Sequence, residues 1–195
     1  MIVLQCDLNS DYKKNIAMIE DRLIDSDKYM NSFLYPKESV PVIQCHFAMH
    51  YLLASEKDAK NIAAFISHYL AKGGIFIITI FDGQRVFDLL KQNRGKWQPN
   101  EHYMIRTKGV HPKTFHGFGH KIEVLLPMSN ELYTESLIDL FALDKIFKDN
   151  KIFRLEERNF SDMLDEYISN NTSMHFNDVE KTFISLYKYV IYKKS

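Results

Sequence analysis

The stretch Leu70-Ala71-Lys72-Gly73-Gly74-Ile75-Phe76-Ile77-Ile78-Thr79-Ile80 decides the fold. Ile75 to Ile80 is an unbroken run of six apolar or β-branched residues with no polar face to turn to water. Such a run suits a strand buried on both sides, as in a parallel sheet covered by helices. Gly73 and Gly74 read as the stop signal of a preceding helix. That helix is expected over Glu56 to Ala71, where Ala59, Ile62, Ala63, Ile66 and Leu70 recur at helical spacing. Asp82-Gly83 closes the strand as a turn.

Working outward, Val3 to Cys6 reads as a short buried strand ending at Asp7, followed by a charged helix from about Tyr12 to Leu23. Val40 to Cys45 is a second apolar strand, and Val86 to Leu90 a short helix leading into a polar, loop-like Lys91 to Asn100. Strands are expected at His102 to Thr107, His120 to Leu126 and Phe183 to Tyr192, with helices near Asp139 to Asp149 and Phe160 to Ser169. Strand and helix alternate in the first half, while the second mixes strands with longer connections. The sum is an α/β sheet with an antiparallel extension.

Composition bounds the function. Hydrophobic residues at 46% and charged residues at 26% are the balance of a globular protein that can bury a core. Lys and Arg number 25 and so do Asp and Glu, which argues against a grip on a long nucleic-acid backbone but not against a pocket for one nucleotide. Cys6 and Cys45 are too few for a disulfide framework, so a reducing compartment, cytoplasmic or nuclear, is expected. No apolar run is long enough to span a membrane. The first residues lack a basic stretch followed by a long apolar one, so no signal peptide is expected.

The segment richest in chemistry is Gln44-Cys45-His46-Phe47-Ala48-Met49-His50-Tyr51, at the carboxyl end of a strand, where open α/β sheets place their ligands. Packing alone does not select two histidines and a tyrosine there, although a strand leaving the core can carry amphipathic side chains at its mouth. His46 and His50 are four apart, as are His116 and His120, a spacing that ligates zinc when both lie on one helix face. The first pair leaves a strand, Gly117 and Gly119 argue against a helix at the second, and no cysteine cluster completes a site, so no metal is expected.

Cys45-His46-Phe47-Ala48-Met49-His50-Tyr51 resembles the "SCQFALHY" signature of the mRNA cap guanine-N7 methyltransferases. Later elements fall in the family's order. Leu70 to Thr79 is similar to its "LKPGGYFIGT", and Phe81-Asp82-Gly83 to its "PDG" turn. Phe118-Gly119-His120-Lys121-Ile122 resembles "FGxxY/I", Tyr133 to Leu137 "PEYLV", and Ser185 to Val190 the closing "SLYxVF". The resemblance covers about Val40 to Lys193 and, in its compact, divergent form, looks like viral members that sit within capping enzymes.

The resemblance implies a class I, Rossmann-like S-adenosylmethionine-dependent methyltransferase fold over residues 1–195, acting on the capped 5′ end of mRNA. It implies a guanine pocket of Phe47, His50, Tyr51, Glu135 and Tyr187. It places S-adenosylmethionine against Asp7, the backbone around His46 and Phe47, and Tyr51. Each residue also has a plainer reading: Glu135 as a surface carboxylate on a strand edge, Tyr187 and Phe47 as packing, Asp7 as the head of an Asx-turn. The pattern breaks in two places. His46 stands where the family has glutamine, and no glycine precedes Gly73, so the glycine-rich cofactor turn is missing. Two arrangements fit that gap. The chain is the later two-thirds of a domain completed by the rest of a capping enzyme, or it is a non-catalytic subunit or cap-binding module of the same fold. A methyltransferase acting on a small molecule is a third, which the Glu135 and Tyr187 correspondences disfavour.

Overall fold

A computed structural model of the chain describes residues 8–24, 36–127, 129, 131–171 and 173–195. The strand expected at Val3 to Cys6, and Asp7 with it, lie outside the described residues. Helix α1 (Tyr12–Ile24) is followed by β1 (Val40–His46), α2 (Met49–Leu52), α3 (Glu56–Tyr69), β2 (Leu70–Phe81) and α4 (Gly83–Gln92). Then come β3 (Lys96–Trp97), β4 (Met104–Thr107), β5 (Lys121–Leu125), β6 (Leu132–Ser136) and α5 (Leu140–Asp149). The last elements are β7 (Ile152–Asn159), α6 (Phe160–Asn170), α7 (Asp178–Ser185) and β8 (Tyr187–Lys194).

Two four-stranded sheets organise these elements, one ordered β1-β2-β8-β7 and the other β3-β4-β5-β6. In the first, β1 runs parallel to β2, while β8 inserts antiparallel between β2 and β7. The second is antiparallel throughout. A parallel pair joined through a helix and extended by antiparallel strands is the mixed α/β sheet that the sequence predicts.

Helix α3 begins where Ser55 accepts a hydrogen bond from the Asp58 N–H, with Glu56 and Asp58 in the first turn to meet the helix dipole. Its buried face, Ala59, Ile62, Ala63 and Ile66, packs with Leu143 and Phe147 of α5 against Phe76, Ile78 and Tyr192 of the sheet. A second core sits between α4 and the antiparallel sheet, built on Val86, Phe87 and Leu90 against Ile105, Ile122 and Val124.

Three expectations need correction. Helix α3 ends at Tyr69, not Ala71, because Leu70 already pairs with Val40 as the start of β2. Gly73 (φ 73°) and Gly74 therefore bend the strand where its register with β1 shifts, and Gly74 packs so closely that a Cβ would lie 3.0 Å from the Pro41 carbonyl oxygen. Phe183 to Ser185 belong to α7, so the last strand starts only at Tyr187. Lys91 to Asn100 is not all loop, since α4 runs to Gln92 and Lys96–Trp97 pairs with β4.

Gly83, the first residue of α4, sits hard against the chain after β6: a Cβ there would come 2.4 Å from the Ile138 carbonyl oxygen and 2.6 Å from the Phe115 ring. Gly83→Ala is expected to destabilise the fold by about 1–3 kcal/mol through overpacking, read as a lowered midpoint in urea unfolding.

Candidate active site

Strand β1 ends at His46, which pairs with Thr79 near the end of the parallel strand β2. Thr79, itself buried, holds the chain leaving β1 at two points. Its hydroxyl and His46 Nδ1 lie 2.7 Å apart, and its carbonyl accepts from the Phe47 N–H at 2.9 Å. Phe47 is forced to φ 51°, a left-handed conformation that costs a bulky residue roughly 1–3 kcal/mol and points to function. The turn leaves its ring 49% exposed, edge-on to Tyr187 at 5.3 Å and to Phe160 at 6.2 Å.

Helix α2 follows at once and points His50 and Tyr51 in different ways. His50 is 9% exposed, whereas Tyr51 is 50% exposed with its ring 4.1 Å from the His50 imidazole. Across from α2, β6 supplies Glu135, only 5% exposed, with Oε2 at 3.6 Å from His50 Nδ1. Glu135 is thus no edge carboxylate on the surface. Burial pushes its carboxyl up to about 7 and pulls the His50 imidazole down to about 4. The two therefore form a close polar contact and not a fixed ion pair, with His50 neutral at neutral pH.

Glu135 Oε2 and His50 Nε2 are both buried and make no hydrogen bond among the described residues. Buried polar atoms of this kind carry a cost of about 1–3 kcal/mol each, so a pair on one site marks a place built for a ligand. Tyr187 opens β8 opposite them, stacked on Phe81 at 4.3 Å. Its phenol is pushed up by burial, then by Glu135 and Tyr51; that of Tyr51 is raised by burial, then by Glu135 and Tyr133.

The fold thus brings Phe47, His50, Tyr51, Glu135 and Tyr187 together from the turn after β1, α2, β6 and β8. His46 stays at the rim, exposed and tied to Thr79. Sequence reading missed Phe160, whose ring is 5.9 Å from Tyr187, and Tyr133, two residues before Glu135 on the same face of β6. No local signal marks Phe160, but Tyr133 was open to a period-two reading of β6. Among the described residues no group of three or more His, Cys, Asp or Glu is placed to hold a metal. The His120 Nε2 lies 2.9 Å from the His116 carbonyl oxygen.

Chemically, the arrangement suits a flat heterocycle. Aromatic rings offer faces for stacking, a buried carboxylate offers acceptors for N–H donors along one edge, and no nucleophile–base pair is present in the cluster.

An aromatic, carboxylate-bearing cluster at the ends of parallel strands lies where open α/β sheets place their ligands. Residues 13–187 match the mRNA (guanine-N(7))-methyltransferase domain, and the chain belongs to that family. Its fold is accordingly the α/β, Rossmann-like methyltransferase fold expected from the sequence. An mRNA-capping enzyme of African swine fever virus is 28% identical over 180 residues, which cover 87% of this chain and 21% of that protein. An mRNA cap guanine-N(7) methyltransferase of rice, Oryza sativa subsp. japonica, is 32% identical over 87 residues, 43% of this chain and 24% of that protein. The chain therefore spans about a fifth of the length of the viral relatives it matches. Among solved structures, an S-adenosylmethionine-dependent methyltransferase from Clostridium acetobutylicum superposes with a TM-score of 0.45 at 12% identity, covering 97% of this chain and 73% of that one.

Proposed function

We propose that this chain is a cap guanine-N7 methyltransferase domain, working on the GpppN end of mRNA as part of a larger capping enzyme in the cytoplasm or nucleus. The observation that carries the reading is the buried, unpartnered Glu135 Oε2 beside His50 within the ring cluster of Phe47, Tyr51 and Tyr187. Glu135 accepts from the guanine N1–H and exocyclic amine, while Tyr187, Phe47 and Tyr51 enclose the base. After N7 methylation the base is cationic and gains from both the rings and the carboxylate.

The methyl donor, S-adenosylmethionine, supplies an activated methyl group. The residues present fit its sulfonium end: the half-exposed rings of Phe47 and Tyr51 offer π-faces at the strand ends, and the strained turn at Phe47 brings backbone to the surface there. The backbone of His46 and Phe47, with Tyr51, would hold it, and Asp7 is assigned to the same task. Guanine N7 already presents a lone pair, so the protein has no proton to remove. Its work is to align the base and exclude water, which proximity and orientation accomplish.

Transfer of labelled methyl from S-adenosylmethionine to N7 of GpppG-capped RNA is expected and is the test of the reading. The reading fails if the folded chain, supplied with the remainder of its capping enzyme, methylates no guanine. Guanine binding without transfer would instead favour a non-catalytic cap-binding module.

The pH dependence follows from Glu135. Burial raises its pKa to about 7, and only the ionised form accepts both guanine donors. Guanosine affinity is therefore expected to rise as pH climbs through about 7 and to fall close to ten-fold for each unit below it. His50, held down at about 4, stays neutral across that window and adds no slope. Calorimetric titration of guanosine from about pH 6 to 8 reads the effect, and Glu135→Gln should flatten it.

A further inference from the structure

A cavity of about 140 Å³ opens between α4 and the loops that flank β4 and β5. We propose that it binds a phosphate group of the same polynucleotide whose guanine lies against Glu135, an inference that rests on the guanine reading above.

The polar lining comprises Thr107, Lys108, His111, His120 and Lys121, with no carboxylate among the lining residues. Such a set favours an anion. His111 is fixed by two contacts: its ring stacks on Phe87 at 4.7 Å, and its Nδ1 lies 2.9 Å from the Thr107 hydroxyl oxygen. With that hydroxyl donating to Nδ1, the imidazole proton sits on Nε2. Nε2 is buried and has no hydrogen-bond partner among the described residues. A ligand oxygen would satisfy it. Burial, then Lys91 and His120, hold the His111 pKa below its ordinary value, so the ring acts as a neutral donor in a positive field. Lys108 is already engaged by Thr134 and, at 3.8 Å, by Glu123. Lys121 is exposed and forms no salt bridge among the described residues, which leaves it as the cation at the mouth.

Position ties the cavity to the guanine site. Thr107 pairs with Ile122 across β4 and β5, and Ile122 pairs with Glu135 across β5 and β6. Directly opposed residues share one face of a sheet, and two strand spacings amount to about 10 Å. Ile122 between them is packed under α4, so a ligand joining the two sites passes around the end of the sheet, not over this face. The cavity shares no lining residue with the Phe47, His50, Tyr51, Glu135 and Tyr187 cluster, so the two can be disabled separately.

Calorimetric titration of the chain and of its His111→Ala and Lys121→Ala variants with guanosine, GpppG and inorganic tripolyphosphate tests this. GpppG affinity is expected to fall about ten-fold in each variant while guanosine affinity holds. Unchanged GpppG affinity in both variants overturns the proposal. So does a parallel loss of guanosine and GpppG binding in His111→Ala with Lys121→Ala unaffected, which marks His111 as structural. If guanosine fails to bind the wild-type chain, the guanine reading falls by itself. The cavity then stands only if tripolyphosphate binds and both variants weaken it.

Discussion

Glu135→Ala is expected to lower kcat/KM for guanine-N7 methylation by at least about 100-fold while leaving the fold intact. Two hydrogen bonds to an ionised carboxylate contribute about 1.5–3 kcal/mol each, and a site built around them rejects a ligand it can no longer pair. Stability should hold or improve, because Glu135 is a buried carboxylate whose charged form burial opposes. The unfolded carboxyl ionises from about 4.5 upward while burial keeps the folded one protonated up to about 7, so the variant's relative stability should grow as pH rises towards 7 and level off above it. Steady-state kinetics on GpppG-capped RNA and thermal melts at about pH 6 and pH 8 check both statements. Wild-type kinetics in the variant would sink the assignment of Glu135.

Tyr187→Ala should do the opposite and damage the scaffold first. The ring stacks on Phe81 at 4.3 Å and meets Phe47, Phe183 and Phe160 edge-on or tilted at 5.3, 5.7 and 5.9 Å. Removing it empties the junction of both sheets, at a cost of about 3 kcal/mol by comparison with other large-to-small aromatic changes. Phe47 then loses a neighbour that helps hold its strained turn, so guanine affinity should fall as well. Tyr187→Phe keeps the rings in place and is expected to lie within about 1 kcal/mol of wild type by denaturant unfolding. A Tyr187→Ala protein as stable as wild type would contradict the packing described.

The parts of the fold legible in the sequence are those whose burial is written into a local period. The unbroken run Ile75 to Ile80 and the stripe from Ala59 to Ile66 fall where expected, in β2 and α3. Strand β7 was missed because it is an edge strand with Arg154, Glu156, Glu157 and Arg158 in its middle, so neither face alternates cleanly. Phe183 to Ser185, the last residues of α7, read as strand because they open the aromatic-rich stretch that continues into β8. The start of α7 was nevertheless marked: Asn177 and Glu180 form a capping box, each side chain bonded to the other's backbone N–H. The site was legible only through its resemblance to a family. Nothing near Glu135 in the chain announces that it is buried, since His50 and Tyr187, which enclose it, come from elements far away in sequence.

The antiparallel insertion of β8 also has a bearing on the order of assembly. Tyr187 reaches the strand ends beside Phe47 only because β8 runs back against β2, between β2 and β7, and it is the last strand of that sheet to be synthesised. During translation, β1, β2 and the His50 helix emerge well before Tyr187. The nascent chain therefore passes through a stage in which β2 and β7 have no strand between them and the ring cluster lacks one side. On the guanine reading proposed above, recognition waits for β8, so a ribosome paused short of Tyr187 carries a partly built sheet and an open ring cluster.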